Sequence, residues 1–135
     1  MGRCAMFMVA GLFAVALSLS CSTPATAQQV CQKAGDNKGS NDPNAVLNWT
    51  LTTRVNTPCI ATVNPPSDWI NTGRHVVVRP KHGKVGFASD LTHFLYSPQS
   101  GFVGADSFVL QFDRQIFTTR ERAHRVISFT INVVP

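Results

Sequence analysis

Two long stretches near the C-terminus alternate apolar and polar residues with a period of two. The first is SFVLQFDRQIF, which starts at Ser107, and the second is RVISFTINVVP, which starts at Arg125. Successive side chains of a β-strand point to opposite faces, so this alternation predicts two strands that each have one buried and one wet face. The residues predicted to form the buried faces are Phe108, Leu110, Phe112, Ile127, Phe129, Ile131 and Val133.

Shorter segments upstream carry the same signal between turn-forming residues. LNWTLTTRV places every second residue from Leu47 to Val55 on one face, and CIATV, RHVVVRP and LTHFLYSP follow as further strands. Three successive valines, Val76 to Val78, predict a strand that is buried on both faces, and Pro80 predicts that this strand stops there or lies at an edge. About seven short strands with turn chemistry between them predict an all-β, antiparallel sandwich.

Residues 1–27 have the features of a secretory signal peptide. MGR supplies a positive start, AMFMVAGLFAVALSL is a short apolar run, and ATA, ending at Ala27, has the A-x-A form of a cleavage site. Two alternatives stay open: a membrane anchor, which the shortness of the run disfavours, and a lipoprotein anchored through Cys21, because LSLSC resembles a bacterial lipobox. Cleavage predicts a secreted or periplasmic protein. The rest of the sequence has no second long apolar run, so we expect no transmembrane span in the mature chain.

A polar arm, residues 28–45, is predicted to precede a single folded domain, residues 46–135. The arm contains Cys31, and the other cysteine that lies beyond the signal peptide is Cys59. In an oxidising compartment such a pair predicts a disulfide. The alternative is a redox or metal-binding pair, but the two cysteines lie far apart and have no CxxC spacing.

Charge adds a predicted contact surface to this picture. The chain has 12 Lys plus Arg and 7 Asp plus Glu, and loss of Arg3 with the signal peptide lowers the net charge from +5 to +4. RPKHGK and RERAHR concentrate basic residues in two predicted turns, and turns on a rigid scaffold are where binding residues tend to lie. If both turns lie at one end of the sandwich, they form one patch that attracts an acidic glycan, a lipid headgroup or an acidic envelope protein. The predicted contact residues are Arg79, Lys81, His82, Lys84, Arg120, Arg122, His124 and Arg125.

The stretch YSPQSGFVGADSFVLQF is predicted to be a structural joint, because nothing in it pairs a nucleophile with a base. Gly101 and Gly104 permit positive φ in two turns. We expect Phe102 to close the end of the sandwich, and we expect the short carboxylate of Asp106 to accept backbone N–H bonds in the turn before the next strand.

Together with PKHGKV upstream and ISFTINVV downstream, this joint resembles the bacterial Ig-like and cadherin-like repeats of secreted and surface proteins. Those repeats run P-x-x-G-x-V, then a strand ending in Y-x-P, then G-F-x-G-x-D-S-F and a final alternating strand. The resemblance covers residues 80–135 and implies an antiparallel Ig-like β-sandwich that serves in adhesion, spacing or glycan binding. The residues that carry it are Pro80, Gly83, Val85, Tyr96, Pro98, Gly101, Phe102, Gly104, Asp106, Ser107 and Phe108.

Catalytic and metal sites are not predicted. The four histidines show neither HxH nor HExxH spacing, no G-x-S-x-G motif supports a serine nucleophile, and the aspartates belong to different turns or strand ends. The basic turns lack the interleaved aromatic residues that stack on nucleic-acid bases. We therefore expect no catalytic residue, no metal, no cofactor and no nucleic-acid partner.

These features favour a non-catalytic binding or structural module of the bacterial envelope. The alternative is a secreted or periplasmic inhibitor of a partner enzyme, and the arm held by Cys31 and Cys59 is then the predicted contact. An enzyme would instead require a deep pocket that brings His93 together with two carboxylates.

Overall fold

The computed structural model describes residues 29–34 and 46–135, and the regular structure in these ranges is all β-strand. The predicted signal peptide, the alternative of lipidation at Cys21 and most of the predicted arm fall outside the described residues. No helix in the described ranges is long and apolar enough to cross a membrane. The strands are β1 (Gln29–Val30), β2 (Gln32–Ala34), β3 (Val46–Arg54), β4 (Cys59–Thr62), β5 (Trp69–Val78), β6 (Gly83–Phe87), β7 (His93–Pro98), β8 (Gly104–Ile116) and β9 (Arg122–Val134).

Two sheets pack against each other, which confirms the all-β class. One has the strand order β1-β4-β7-β6 and the other β2-β3-β9-β8-β5. Both sheets are mixed, because β1 runs parallel to β4 and β3 runs parallel to β9. We had expected antiparallel pairing throughout. The parallel pairing is possible since β3 and β9 are separated in sequence by the rest of the domain, so no hairpin fixes their relative direction.

The core lies between the two sheets and is rich in aromatic rings. All seven residues predicted to form the buried faces of β8 and β9 are buried, as is Trp49 of β3. The ring of Phe129 stacks on that of Phe108 at 4.9 Å between centroids and meets that of Phe94 at 4.8 Å. Burial of each such side chain contributes roughly 1.5 to 3 kcal/mol, so alternation along β8 and β9 stabilises the packing of the two sheets.

A disulfide between Cys31 and Cys59 joins the N-terminal segment to β4, as predicted. Cys31 lies between β1 and β2, and these two short strands belong to different sheets. The chain therefore crosses from one sheet to the other at the disulfide. Residues 29–34 pair with β3 and β4, whereas we expected them to belong to a polar arm that precedes the folded domain.

Strand β5 lies at the edge of its sheet and is not buried on both faces. Val77 is 56% exposed and Val78 49% exposed, which contradicts the prediction from the run of three valines. The register with β8 shifts twice, between Asn71 and Gly73 and again between Val76 and Val78. Pro80 follows the end of the strand, which agrees with the expectation that the strand stops there or lies at an edge.

Candidate functional site

The two basic turns lie at opposite ends of the molecule. The backbone N–H groups of Lys81 and His82 donate to the side chain of Asp106, near the start of β8. The other turn, residues 117–121, follows Ile116 at the far end of β8. Asp106 and Ile116 are ten positions apart along β8, which corresponds to roughly 30 Å. The two turns therefore do not form the single patch that we considered from the sequence.

Backbone contacts assign the remaining loops to these two ends. Gln99 donates its N–H to the carbonyl of His82 at 2.8 Å, and Gly101 donates to Oδ1 of Asn56 at 2.8 Å. Loops 55–58, 79–82 and 99–103 therefore lie together, and we call them the basic end. Phe117 donates to the carbonyl of Asp68 at 3.0 Å, and Val63 donates to that of Thr92 at 2.8 Å. Loops 63–68, 88–92 and 117–121 form the opposite, hairpin end.

A buried carboxylate fixes the backbone of the basic end. Asp106 is 6% exposed and its two oxygens accept four hydrogen bonds. The backbone N–H groups of Lys81 and Ser107 donate to Oδ1 at 3.0 and 2.9 Å, while that of His82 and the Tyr96 hydroxyl donate to Oδ2 at 3.0 and 2.9 Å. Asp106 thus joins loop 79–82 to β7 and β8, beyond the local turn role that we predicted for it.

The hydrogen bonds around Asp106 keep its carboxyl group ionised. Burial on its own raises the pKa of Asp106, but the donors of Lys81, His82, Ser107 and Tyr96 outweigh burial and leave the pKa below its ordinary value. Burial, followed by the hydrogen bond to Asp106, raises the pKa of the Tyr96 hydroxyl. The hydroxyl therefore remains a donor and the carboxylate an acceptor throughout the physiological pH range.

Two of the residues that carry the family resemblance, Tyr96 and Ser107, donate to this carboxylate, and Gly83 lies against the Tyr96 ring. A Cβ atom on Gly83 would lie 2.6 Å from Cε2 of Tyr96, so the absence of a side chain at residue 83 lets the tyrosine ring cross β6. Gly83 also pairs with Pro98 in the β6–β7 register. The G, Y-x-P and D elements of the motif therefore build one joint, which agrees with the structural role predicted for this stretch.

Phe102 closes the basic end beside this joint. It is half-buried, packs against the core, and its ring stacks on that of His82 at 4.3 Å between centroids. Gly101 and Gly104 have φ values of 73° and 139°, so both turns use the positive φ predicted for them. His82, which we placed in the contact surface, thus contributes to loop packing through its ring.

Three basic side chains project from this fixed frame into solvent. Arg79, Lys81 and Lys84 are exposed. In the part of the chain that the structure describes, none of the three forms an ion pair, because each ion pair found there joins a histidine to an aspartate. Asp106 is the one described acidic side chain in or beside the loops of the basic end, and it is buried. Among residues 29–34 and 46–135, the exposed charged side chains of this end are therefore all basic.

The hairpin end presents charges of both signs. Arg120 and Arg122 are exposed, and Glu121 lies between them in the chain. Asp68 and Asp90 belong to the neighbouring loops of the same end. Opposite charges on adjoining loops offset one another, so this end is a weaker attractor of anions than the basic end.

Arg125 does not belong to the exposed turn in which we placed it. It is 2% exposed and lies on the inner face of β9, in phase with Ile127 and Phe129. The period-two alternation of the strand dictates this position, because β9 already begins at Arg122. Arg125 is therefore removed from the contact surface.

A second arginine is buried beside Arg125. Arg114 is 4% exposed, and its Nε donates to Oδ1 of Asn71 at 3.1 Å. Asn71 in turn donates through Nδ2 to the carbonyl of Leu91 at 2.9 Å, which ties β5 to loop 88–92. Burial, followed by the charge of Arg125, lowers the pKa of Arg114 to about 10. These polar groups fill the interior of the sandwich toward the hairpin end.

Two histidines flank one aspartate on the outer face of the five-stranded sheet. Oδ2 of Asp113 lies 2.8 Å from Nε2 of His75, and Oδ1 lies 2.8 Å from Nδ1 of His124. A hydrogen bond from Gln111, followed by those from the histidines, lowers the pKa of Asp113 to about 2. Within the described ranges, no group of three His, Cys, Asp or Glu residues has the arrangement needed to hold a metal ion.

This cluster was not predicted from the sequence. Asp113 and His124 are direct partners in the β8–β9 register, so a correct hairpin alignment would have found that contact. His75 approaches from β5, whose register with β8 is shifted twice, and the sequence gives no sign of those shifts. His93 lies apart from this cluster, and its Nδ1 is 2.8 Å from Oδ2 of Asp90.

Comparison with models of known protein families finds no match for this chain. Comparison with curated proteins finds no match either. The functional assignment therefore depends on the geometry and charge described above.

Proposed function

We propose that the protein is an exported, non-catalytic, Ig-like binding module whose basic end contacts an anionic polymer of the bacterial envelope. The observation that carries this proposal is that the backbone of loop 79–82 is held in place while its basic side chains are exposed and meet no described carboxylate. Lys81 lies on a loop whose backbone N–H bonds to the buried Asp106, while its ammonium group and those of its neighbours meet no described carboxylate.

The distribution of the seven longer strands, β3 to β9, supports Ig-like topology. β4, β6 and β7 share one sheet and β5, β8 and β9 share the other, as do strands B, D, E and C, F, G of constant-type immunoglobulin domains. The difference is β3, which lies beside β9 instead of beside β4. This arrangement gathers alternate loops at each end of the sandwich, where binding surfaces of such domains are built.

The disulfide supports export. Disulfides form and persist in oxidising compartments such as the periplasm, and thiols in the cytosol are kept reduced. Cys31 and Cys59 are both buried, at 4% and 0% exposure, so their bond is a structural one. This agrees with the signal peptide predicted for residues 1–27.

A rigid loop improves binding because its ordering does not have to be paid for when the ligand arrives. At the basic end, Asp106 holds the backbone of residues 81 and 82, so the cations on this loop start from a fixed frame. Exposed charges interact with a charged polymer through a field that salt screens strongly. Binding at this end should therefore be fast, salt-sensitive and tolerant of the polymer's detailed sequence.

Retention on immobilised dextran sulfate tests the proposal, with uncharged dextran as the matching matrix. The wild-type protein should be retained on dextran sulfate alone, and retention should fall as salt rises from about 0.01 M to about 0.15 M, which shortens the screening length from about 30 Å to about 8 Å. The double variant Lys81→Ala with Lys84→Ala should bind about tenfold more weakly, equivalent to about 1.4 kcal/mol.

The matched control removes the same charge from the hairpin end. Arg120→Ala with Arg122→Ala deletes two exposed cations that lie near Glu121 and Asp68, so binding should stay within about twofold of wild type. Equal losses in the two double variants would show that net charge, and not the basic end, governs binding. Retention on uncharged dextran, or no retention on either matrix, would also contradict the proposal.

A further inference from the structure

Two adjoining clefts run along β6 at the basic end. The larger has a volume of about 410 Å³ and is lined by residues of loop 79–82, β6, the end of β7 and loop 99–103, among them Lys81, Lys84, Ser97 and Ser100. The smaller has a volume of about 310 Å³ and is lined by Arg79, Val76, Pro80 and Val85 among others. Gly83 and Lys84 line both, so the two clefts adjoin at β6, and we call the pair the groove.

The larger cleft combines positive charge with neutral hydrogen-bonding groups. Lys81 and Lys84 supply ammonium donors, Ser97 and Ser100 supply hydroxyls that donate and accept, and Gln99 supplies a carboxamide. Lys84 and Ser97 are direct partners in the β6–β7 register, so charge and hydroxyl stand side by side on one sheet face. A sugar ring that carries hydroxyl groups and one oxyanion, such as a carboxylate or a sulfate, matches this set of donors and acceptors.

The smaller cleft is of different character. Arg79 is the cation that it adds, and Val76, Pro80 and Val85 give it an apolar wall. A sugar ring has an apolar face of C–H groups as well as hydroxyl edges, so such a wall suits a second ring beside a charged group. Both volumes lie within the usual size range of small-ligand sites, about 300 to 1,000 Å³.

We propose that this groove binds two successive units of an acidic polysaccharide, a deepening that rests on the binding function proposed above. The larger cleft takes the oxyanion of one unit between Lys81 and Lys84, with Ser97 and Ser100 on its hydroxyls. The smaller cleft takes the next unit against Arg79. Because an ammonium group is a point charge without the planar fork of a guanidinium, the lysine cleft accepts carboxylate and sulfate alike.

A concave groove also separates this ligand class from a membrane surface. A bilayer presents its headgroups in a plane and attracts clustered surface cations through their charge, which does not require neutral hydroxyl groups beside them. Ser97, which is half-buried on β7, would then contribute nothing to binding. The role of the serine hydroxyls therefore distinguishes the two.

Titration with monogalacturonate, tetragalacturonate and dextran sulfate tests the groove, on protein produced from the full-length sequence. The tetramer should bind at least about tenfold more tightly than the monomer, because it fills both clefts. Ser97→Ala with Ser100→Ala keeps the charge and should weaken tetragalacturonate binding about three- to tenfold, while retention on dextran sulfate falls by less than about twofold. The matched control, Thr118→Ala with Thr119→Ala at the hairpin end, should leave both unchanged.

The outcomes separate this inference from the proposed function. Equal binding of monomer and tetramer, or equal effects of the serine and threonine variants, would overturn the groove while dextran-sulfate retention at the basic end survives. Tighter binding to vesicles containing anionic lipid than to either polysaccharide would overturn it in favour of a headgroup surface. Loss of all anion binding would remove both proposals together.

Discussion

The two ends of the sandwich each bury an ionic side chain, with opposite results. Asp106 at the basic end is 6% exposed and Arg114 toward the hairpin end is 4% exposed. Asp106 accepts four hydrogen bonds, and its pKa is lowered, so its charged form is favoured. Arg114 donates to the single side-chain oxygen of Asn71 beside a second buried arginine, and its pKa is also lowered, so its charged form is disfavoured.

At equal burial, therefore, the number and sign of the partners decide whether a buried charge strengthens its surroundings. At the basic end, the Asp106 carboxylate holds the backbone of loop 79–82, which carries exposed cations. At the hairpin end, the Arg114 side chain fills space between the sheets. This difference makes the basic end a fixed frame for recognition. Each of the following changes tests one side of that contrast.

The largest effect is expected from loss of the disulfide. Cys59 is the first residue of β4 and pairs with Tyr96, so the bond fastens the core side of the basic end. Cys31→Ala with Cys59→Ala releases a loop closed over a sequence separation of 28 residues, and should lower the free energy of unfolding by about 3 to 4 kcal/mol in urea titration.

The wild-type protein under reducing conditions serves as the control for that variant. It should unfold at the same urea concentration as the double alanine variant, and amide exchange should accelerate more at Tyr96 than at the hairpin turn. Unchanged stability after reduction would show that the disulfide does not hold the basic end together.

The second effect concerns the buried carboxylate. Asp106→Asn replaces one acceptor oxygen by an NH2 group, which then faces groups that donate to the carboxylate in the wild type. The variant should lose about 3 kcal/mol of unfolding free energy near neutral pH. Because the pKa of Asp106 is lower in the folded state, its contribution is fully present above the unfolded-state value of 3.8 and is lost as pH falls through the folded-state pKa. The difference between wild type and variant should therefore shrink in acid.

Asp68→Asn is the matched control at the hairpin end. Asp68 is exposed, and its side chain accepts a hydrogen bond from the adjacent Ser67, so stability should change by less than about 0.5 kcal/mol. A comparable loss in both variants, or a pH-independent difference for Asp106→Asn, would contradict the account of the basic end.

The smallest effect is expected at the buried guanidinium. Arg114→Met removes a charge that burial disfavours and relieves its repulsion with Arg125, but it leaves Oδ1 of Asn71 without that donor. These terms oppose each other, so stability should stay within about 1 kcal/mol of wild type in the same urea titration. A loss as large as that of Asp106→Asn would mean that the two ends do not differ in the way described.

The sequence predicts the elements with strong alternation and does so down to single residues. Phe108 and Phe129 are buried where the period of two places them. The same alternation, continued backward from Ile127, puts Arg125 on the inner face, so its burial was available from the sequence. We placed Arg125 in an exposed turn because it is charged, but the period of two along β9 determines its position more strongly than its charge does.

Other features depend on contacts that the sequence does not encode locally. Val77 and Val78 read as doubly buried, but strand order leaves β5 at an edge. The separation of the two basic turns follows from the direction of β8 relative to β5, and the His75–Asp113 contact follows from two register shifts. Such long-range pairings decide which surface residues meet, and the pattern along one strand does not determine them.

The two register shifts in β5 also bear on how the protein behaves at high concentration. A straight border strand with apolar side chains invites a second molecule to add its own strand and begin a fibre. In β5 the register with β8 shifts between Asn71 and Gly73 and again between Val76 and Val78, and such irregularities make an edge strand a poorer template for pairing. The domain can thus expose Ile70 and Val77 on an edge strand while resisting edge-to-edge aggregation at high concentration.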